Sequence, residues 1–322
     1  MNEPVEIAGH RIAPGERARF DLPVARLPTD TWLSIPVEVV NGRRDGKRLW
    51  LSGAIHGDEL NGVEIIRQVI EVVDPDTLRG VLIAVPIVNV FGFIEQSRYL
   101  PDRRDLNRSF PGTSRGSLAA RLAYLFMNEI VLRCTHGIDL HTGSYHRDNL
   151  PQIRVDLRDD EARRIAMSFG APVVVNSQTR DGSLRQAASE LGIHTLLYEA
   201  GEALRFDSRA IQVGVRGVER VMSLLGMIKI PKQRRTEPTV VCEKTMWVRA
   251  RRSGILRLEV ALGQEVRRKQ RLGLITGAFG DNRVTLTAPA DGIVIGKTNN
   301  PLVSQGDAIV HLARQDETAD QP

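Results

Sequence analysis

The chain has 322 residues, of which 42% are hydrophobic, and this is enough to bury the core of one large domain or two smaller ones. Its formal charge of +5 is carried by scattered arginines, and only 5% of residues are aromatic, which disfavours a nucleic-acid-binding surface and agrees with small anionic substrates. The chain has no apolar run of membrane-spanning length, no signal-peptide pattern and only two distant cysteines, Cys134 and Cys242, so we expect a cytoplasmic protein without a membrane partner.

The first 45 residues are strand-like but weakly patterned, and a clearer pattern begins near residue 49. The run LWLSGAI ends just before Gly57 and predicts a strand. The segment ELNGVEIIRQVIEVV follows it and predicts a helix, because its apolar residues recur at helical spacing: Leu60, Val63, Ile66, Ile70 and Val73. The run VLIAVPIV, from Val81, is unbroken and β-branched, as in a strand buried on both faces.

Strand and helix patterns continue to alternate as far as residue 226. The predicted elements are a helix over Leu118–Leu132, the strand GIDL, strands over Ile153–Asp156, Val173–Val175 and His194–Tyr198, and helices from Glu161, over Leu184–Leu191 and over Ser208–Leu224. Such alternation indicates an α/β fold with a mostly parallel or mixed sheet flanked by helices.

The polar segment IPKQRRTEPT, from Ile230, contains two prolines and is typical of a linker. Beyond it, short strands separated by glycine turns predict a small all-β domain. We therefore predict a catalytic domain over 1–232, a β-domain over 233–314 and a disordered tail over 315–322.

Polar residues at the ends of predicted strands are the first sign of a functional site, because ligands of α/β sheets bind at that edge. His56 and Glu59 lie three residues apart in GAIHGDELNG, and an imidazole with a carboxylate suits zinc. The alternative for this pair is a helix start, with Asp58 or Glu59 at the positive end of the helix dipole.

A histidine at the end of the GIDL strand supplies the ligand that this pair lacks. His141 lies far from His56 in sequence, and two close ligands plus a distant one is a common layout in zinc enzymes. The alternative is a lone histidine that is hydrogen-bonded in a turn.

Two further segments carry polar residues that an apolar core does not require. SRYLPDRRDLNRSFPG combines arginines with an amide, which can bind a carboxylate, although a solvated charged loop has the same composition. In LLYEAGE, Glu199 follows an apolar run and could act as a general base, while Glu202 competes for that role and a structural carboxylate is the alternative.

The four motifs GAIHGDELNG, DLNRSFPG, DLHTG and YEAGE resemble, in order and approximate spacing, the succinylglutamate desuccinylase/aspartoacylase branch of the zinc carboxypeptidase superfamily. The resemblance covers roughly residues 45 to 225. It implies one zinc per chain, held by His56, Glu59 and His141, and it makes Glu199 the general base.

The same resemblance assigns the remaining polar residues of the arginine-rich loop. Asp105 matches the aspartate that orients the first zinc histidine, and Asn107 with Arg108 matches the pair that binds the substrate carboxylate. An arginine upstream polarises the scissile carbonyl in the family; Arg98 and Arg103 both compete for that match, and we prefer Arg98.

The implied activity is hydrolysis of the amide bond of an N-acyl amino acid or a similar small carboxylate substrate by a zinc-dependent deacylase. In this mechanism, water is activated by zinc and by Glu199. A carboxypeptidase-like action on a short or acidic peptide is the alternative. A non-catalytic zinc-binding or ligand-binding protein would lack at least one of the chemical positions, and none is missing.

The C-terminal segments GILRLEVALGQEV and APADGIVIGKTNNPLVSQGDAIVHLA resemble a biotinyl/lipoyl-type barrel. Such domains carry a modified lysine at a hairpin tip, where this chain has GAFGDN, so we expect no attached cofactor. We predict that this domain serves as a lid or as an assembly surface of a homo-oligomer.

Overall fold

The computed structural model describes residues 2–231 and 238–314. The predicted tail over 315–322 and most of the predicted linker lie outside the described residues. Nineteen strands are present in the described part: β1 (Val5–Ile7), β2 (His10–Ile12), β3 (Glu16–Arg26), β4 (Trp32–Asn41), β5 (Arg44–Gly53), β6 (Arg79–Val85), β7 (His136–Gly143), β8 (Arg147–Val155), β9 (Val173–Asn176), β10 (His194–Glu202), β11 (Val240–Cys242), β12 (Lys244–Arg249), β13 (Gly254–Leu258), β14 (Glu265–Val266), β15 (Arg271–Thr276), β16 (Val284–Thr287), β17 (Gly292–Thr298), β18 (Leu302–Val303) and β19 (Ala308–Arg314).

Six α-helices accompany the strands in the same residues: α1 (Asn61–Val72), α2 (Val90–Ile94), α3 (Leu118–Glu129), α4 (Asp160–Phe169), α5 (Leu184–Glu190) and α6 (Ser208–Leu224). The five helices predicted from the sequence are therefore confirmed, and α6 has the predicted bounds. The additional helix α2 spans only five residues, which is too short to show a helical period. None of the helices in the described part is long and apolar enough to cross a membrane.

A mixed sheet of thirteen strands forms the centre of the molecule. Its middle runs in the order β8-β10-β7-β5-β6-β4-β3, where β10, β7, β5 and β6 are parallel to one another. Strand β8 is antiparallel to β10, and β4 is antiparallel to β6. The predicted fold class is confirmed in its mixed form, because antiparallel strands extend the parallel centre on both sides.

Helices cover both faces of this sheet and enclose two apolar cores. One core packs α1, α4 and α6 against the sheet, and the other packs α3 and α5 against it together with the N-terminal strands. The buried face of α1 contains Ile65 and Val69 in addition to the predicted Ile66 and Ile70. Val63 is only half-buried, because α1 packs on the sheet along one side and on α6 along the other.

The C-terminal strands join the central sheet and also form a second sheet. Strand β17 pairs with β8, where Gly296 faces Asn149, and β12, β19 and β17 continue the sheet beyond that point. Strands β16, β15, β13 and β18 form a separate four-stranded antiparallel sheet, with a third apolar core beneath it. The division of the chain into domains at residue 232 stays a prediction, since the two regions share a sheet.

Candidate active site

The three predicted metal ligands meet at the carboxyl edge of the parallel strands. His56 and Glu59 lie in the turn between β5 and α1, and His141 lies in β7, which pairs with β5. Their side chains are buried, and a ring nitrogen of each histidine and a carboxylate oxygen of Glu59 lie within 4.8 Å of one another. The three residues meet because the neighbouring parallel strands β5 and β7 end at the same edge of the sheet.

The histidine rings are held by carboxylates on both nitrogens. The Nδ1 atoms of His56 and His141 lie 2.8 Å and 2.7 Å from the Glu59 carboxylate oxygens. The Nε2 atom of His56 lies 3.1 Å from Asp105, and that of His141 lies 2.7 Å from Asp139. Carboxylates behind the ring nitrogens are typical of histidines that ligate a metal through the other nitrogen, so the side chains fit a metal ion.

Without a metal ion, the charges of this group balance one another. Burial lowers the pKa values of His56 and His141, but the carboxylates around them raise both above the ordinary histidine value, and a metal ion that binds neutral imidazoles would displace these protons. Burial raises the pKa of Glu59, but the nearby His56 and His141 outweigh it and hold the pKa of this carboxyl well below its usual range. Two imidazoles and one ionised carboxylate are a donor set that suits zinc and leaves a coordination position for water or substrate.

Of the two competing arginines, the structure brings Arg98 to this group. The Arg98 guanidinium donates to Asp105 at 2.9 Å, and its Nη1 lies 3.4 Å from Glu59 Oε1. Arg103 is exposed in a turn with a φ of 60° and does not line the pocket. Arg98, unlike Arg103, therefore lies beside the metal donors.

The predicted carboxylate-binding pair is ordered by a short 3-10 turn over Leu106–Arg108. Asp105 accepts a hydrogen bond from the backbone N–H of Asn107, and the Asn107 side-chain oxygen accepts one from the backbone N–H of Leu184. Both Asn107 and Arg108 line the pocket, so their amide and guanidinium donors are available to a ligand.

Glu199 lies in the second half of β10, opposite His141 in the strand register and just before an irregularity of the strand, and it also lines the pocket. Its carboxylate accepts a hydrogen bond of 2.8 Å from Asn149 and lies 3.6 Å from the Arg154 guanidinium. The competing Glu202 is buried, accepts a hydrogen bond from Asn299 and does not line the pocket. The geometry therefore favours Glu199 as the carboxylate that meets a substrate.

These residues surround one pocket of about 280 Å³. Several lining or supporting residues were not identified from the sequence: Asp139, Arg147, Asn149, Arg154, Arg180, Arg185, Trp247 and His311. Asp139 had a usable signal, because it precedes His141 by two residues and therefore shares its face of the strand. The others come from separate strands, a loop and a helix, and no local pattern marks them.

The catalytic-domain model of the succinylglutamate desuccinylase/aspartoacylase family matches residues 45–225. The N-alpha-acetyl-L-2,4-diaminobutyric acid deacetylase of Halomonas elongata is 27% identical over 292 residues, which are 87% of this chain and 85% of that protein.

Solved structures of similar proteins cover both the catalytic strands and the C-terminal strands. A succinylglutamate desuccinylase/aspartoacylase from Rhodobacter sphaeroides has a TM-score of 0.83 at 25% identity, with 93% of this chain and 96% of that chain covered. The ectoine utilization protein EutE from Ruegeria pomeroyi, in a product-bound structure, has a TM-score of 0.85 at 22% identity and covers 98% of this chain and 100% of its own, which supports the fold.

Proposed function

The chain belongs to the succinylglutamate desuccinylase/aspartoacylase family and is a deacylase of linear amides, and we propose that it hydrolyses N-acyl amino acids with one zinc ion per chain. The observation that carries the proposal is the buried group of His56, Glu59 and His141 in the same pocket as Glu199. Metal donors and a carboxylate that can accept a proton, brought together in one pocket, are what hydrolysis of an unactivated amide requires.

Zinc, when bound to this group, supplies Lewis-acid chemistry by lowering the pKa of water and polarising a carbonyl oxygen. Glu199 accepts the proton that water releases as it attacks the amide carbonyl. The same carboxyl then donates this proton to the nitrogen of the leaving amine. The hydrogen bond from Asn149 holds the Glu199 carboxylate in the orientation that both transfers need.

The arginines and the amide orient the substrate in this proposal. Arg98 lies beside the metal donors and stabilises the negative charge that develops on the carbonyl oxygen. Arg108 and Asn107 bind the substrate carboxylate, where a guanidinium and an amide offer several donors at once. These contacts fix the amide bond between Glu199 and the metal donors.

The pocket favours a small substrate over a peptide. Trp247 of β12 and His311 of β19 form a wall on the side of the C-terminal strands, with their rings stacked at 4.3 Å. A volume of about 280 Å³ lies just below the range of roughly 300–1,000 Å³ that is typical of ligand pockets. The carboxypeptidase-like alternative therefore has less support than deacylation.

Cys134 and Cys242 are buried and unpaired, as is usual in a reducing compartment, and we keep the cytoplasm as the proposed location.

The test combines metal analysis with a substrate panel. Purified protein should contain about one zinc per chain, and the double variant of His56→Ala with His141→Ala should lose it. The protein should release amino acids from N-acetyl and N-succinyl amino acids faster than from short peptides, and N-acetyl-L-2,4-diaminobutyrate belongs in the panel because the Halomonas elongata relative carries that name. Faster release from peptides would favour the alternative, and full zinc retention by the double variant would contradict the ligand assignment.

A further inference from the structure

Two tyrosines connect two segments of the chain that line the pocket. Tyr99 follows Arg98, and Tyr145 follows Ser144; both preceding residues line the pocket. The phenol oxygens of Tyr99 and Tyr145 lie 2.5 Å apart, which is at the short end of the range for an O–H···O hydrogen bond. The two side chains are 39% and 57% exposed, so this hydrogen bond lies at the solvent-facing rim of the pocket.

The turn that carries Tyr145 has an unusual backbone. Ser144 and Arg147 close a β-turn in which the Arg147 N–H donates to the Ser144 carbonyl at 3.2 Å. The two central residues, Tyr145 and His146, have φ angles of 55° and 60°, as in a type I′ turn. Such turns favour Asn-Gly, because bulky residues adopt the left-handed conformation at a cost. A strained turn beside a catalytic pocket indicates that its side chains have a function there.

Both ends of the hydrogen-bonded pair are fixed, and we call Tyr99 and Tyr145 the tyrosine strap. The Arg98 guanidinium, held by ion pairs beside the metal donors, anchors the backbone next to Tyr99. The His146 carbonyl accepts a hydrogen bond of 2.7 Å from the backbone N–H of Asn299, between β17 and β18. The hydrogen bond with Tyr99 raises the pKa of Tyr145 to about 12, so Tyr145 keeps its proton in neutral solution.

The rim next to the strap is apolar. Leu204 is half exposed, and its backbone N–H donates at 2.8 Å to the carbonyl of Asp58, the residue before the metal donor Glu59. The preceding Ala203 N–H donates at 2.9 Å to the carbonyl of Gly143, which ends β7 just before the strained turn. An aliphatic side chain therefore lies close to both the metal donors and the strap.

The strap and the proposed carboxylate-binding pair lie toward different sides of the sheet. Asn107 accepts a hydrogen bond from Leu184 of α5, whereas Leu204 contacts the segment before α1 and itself precedes α6. Helices α1 and α6 pack on one face of the sheet and α5 packs on the other. With the amino-acid carboxylate bound at Asn107 and Arg108, the acyl group of the substrate extends toward Leu204 and the strap.

We propose that Tyr99 and Tyr145 close the acyl end of the pocket and set the length of the acyl group that the enzyme accepts. The proposal rests on the proposed deacylase function and narrows its substrates to N-acyl amino acids with a short, uncharged acyl group. A longer acyl chain meets the two rings or has to break the hydrogen bond between them. The tyrosines determine specificity in this proposal and take no part in proton transfer.

A series of substrates that differ only in the acyl group tests the strap. N-acetyl-, N-propionyl-, N-butanoyl- and N-hexanoyl-L-norvaline share the same amino acid. We expect kcat/KM to fall by at least ~100-fold from the acetyl to the hexanoyl substrate, because even one methylene that does not fit a pocket is costly. Tyr145→Ala should reduce this fall by about tenfold. Tyr99→Phe keeps the ring and removes only the hydroxyl, and it should reduce the fall by about threefold or more.

The matched control is Tyr124→Phe, at an exposed tyrosine of α3 that does not line the pocket, and it should keep the wild-type fall. A wild-type fall in both Tyr145→Ala and Tyr99→Phe would overturn the strap. An effect of Tyr145→Ala without any effect of Tyr99→Phe would also overturn it, because Tyr145 would then act without its partner.

Removal of bound zinc by dipicolinate separates a failure of the strap from a failure of the proposed function. The strap shields the metal side of the pocket, so the chelator should remove zinc about tenfold faster from Tyr145→Ala than from the wild type or from Tyr124→Phe. If no substrate is hydrolysed but this difference is found, the function fails and closure of the pocket by the strap stands. If all four substrates are hydrolysed at similar rates and zinc removal is unchanged, the strap fails and the function stands. Absence of both hydrolysis and the difference in zinc removal overturns both.

Discussion

At the scale of single residues, the orientation of the metal donors depends on aspartates rather than on the ligands alone. Asp139 accepts a hydrogen bond from Ser52 at 2.6 Å and lies 2.7 Å from His141 Nε2. Asp105 connects His56 to Arg98 in a similar way. Each ring is therefore fixed with its Nδ1 toward Glu59, and the geometry of the site is set before any ion or substrate arrives.

The first prediction at this scale separates proton transfer from structure at Glu199. Glu199→Gln keeps the shape and can still accept the hydrogen bond from Asn149, but the amide cannot take a proton from water. We expect kcat to fall by ~10²–10⁴-fold with zinc content unchanged, measured by steady-state kinetics and metal analysis.

Glu202→Gln is the matched control, because Glu202 lies on the same strand but does not line the pocket. Its effect should appear in stability, through the hydrogen bond from Asn299, and not in kcat. Wild-type turnover by Glu199→Gln at full zinc occupancy would contradict the mechanism.

The second residue-scale prediction concerns His311 and the pH dependence of stability. Burial and the charges of Arg154, Arg147 and Arg180 lower the pKa of His311 to about 3 in the folded protein. The unfolded chain has the ordinary histidine pKa of about 6.5 and takes up a proton first as the pH falls. The contribution of His311 to stability is therefore complete above pH ~6.5 and is lost progressively between pH ~6.5 and ~3.

Between pH 7 and pH 5 this loss amounts to about 2 kcal/mol in the free energy of unfolding. His311→Gln should show a smaller decrease over the same interval, measured by urea unfolding at both pH values with the metal concentration fixed. His10→Gln, at an exposed histidine, is the control and should keep the wild-type decrease. Equal decreases in all three proteins would mean that His311 titrates normally in the folded state.

At the scale of elements, strand β17 connects the C-terminal strands to the catalytic residues. Gly296 of β17 lies between Asn149 of β8 and His311 of β19 in the strand register. It therefore connects His311, which forms part of the pocket wall, to Asn149, which donates a hydrogen bond to Glu199. A Cβ atom at Gly296 would lie 2.9 Å from Asn149 Oδ1 and 3.3 Å from His311 Cβ. Glycine is required here by close approach rather than by an unusual backbone angle.

Gly296→Ala should therefore displace Asn149 and loosen the position of Glu199 without disturbing the distant metal donors. We expect kcat to fall by about 10-fold or more while zinc content is retained, because small displacements at a reacting group have large kinetic effects. Lys297→Ala, on the opposite face of the same strand, serves as the control and should keep the wild-type kcat. A fully active Gly296→Ala would show that Asn149 does not position Glu199.

The elements also show where sequence reasoning succeeds and where it stops. The alternation of patterns predicted α1, α3–α6 and the parallel strands, because each has a local period or an unbroken apolar run. The motif residues could be found because His56 and Glu59 follow β5, while His141 and Glu199 lie near the ends of β7 and β10, and these parallel strands end at the same edge of the sheet. Arg154 and Arg185 could not be found, because their proximity depends on the antiparallel entry of β8 and the packing of α5, which no local pattern encodes.

At the scale of the whole molecule, the catalytic strands and the C-terminal strands depend on each other. Besides the pairing of β17 with β8, β11 pairs in parallel with β9. A small apolar cluster is shared between the two parts, with Leu150 and Val175 from one and Cys242 and Ile295 from the other. The pocket is shared as well, because Trp247 and His311 complete its wall.

A chain ending at residue 231 tests this dependence. All three metal donors lie before residue 142, so the shortened protein should still bind about one zinc per chain. It should lose at least ~100-fold in kcat/KM, because the wall of Trp247 and His311 is removed and β8 loses the strand that positions Asn149. It should also aggregate, since the edges of β8 and β9 and the cluster around Leu150 become exposed. A chain ending at residue 314 keeps every one of these contacts and should behave like the full protein.

The three proteins are compared by their metal content, kcat/KM and light scattering. A monodisperse, fully active chain ending at residue 231 would show that the C-terminal strands serve some purpose other than completing the pocket.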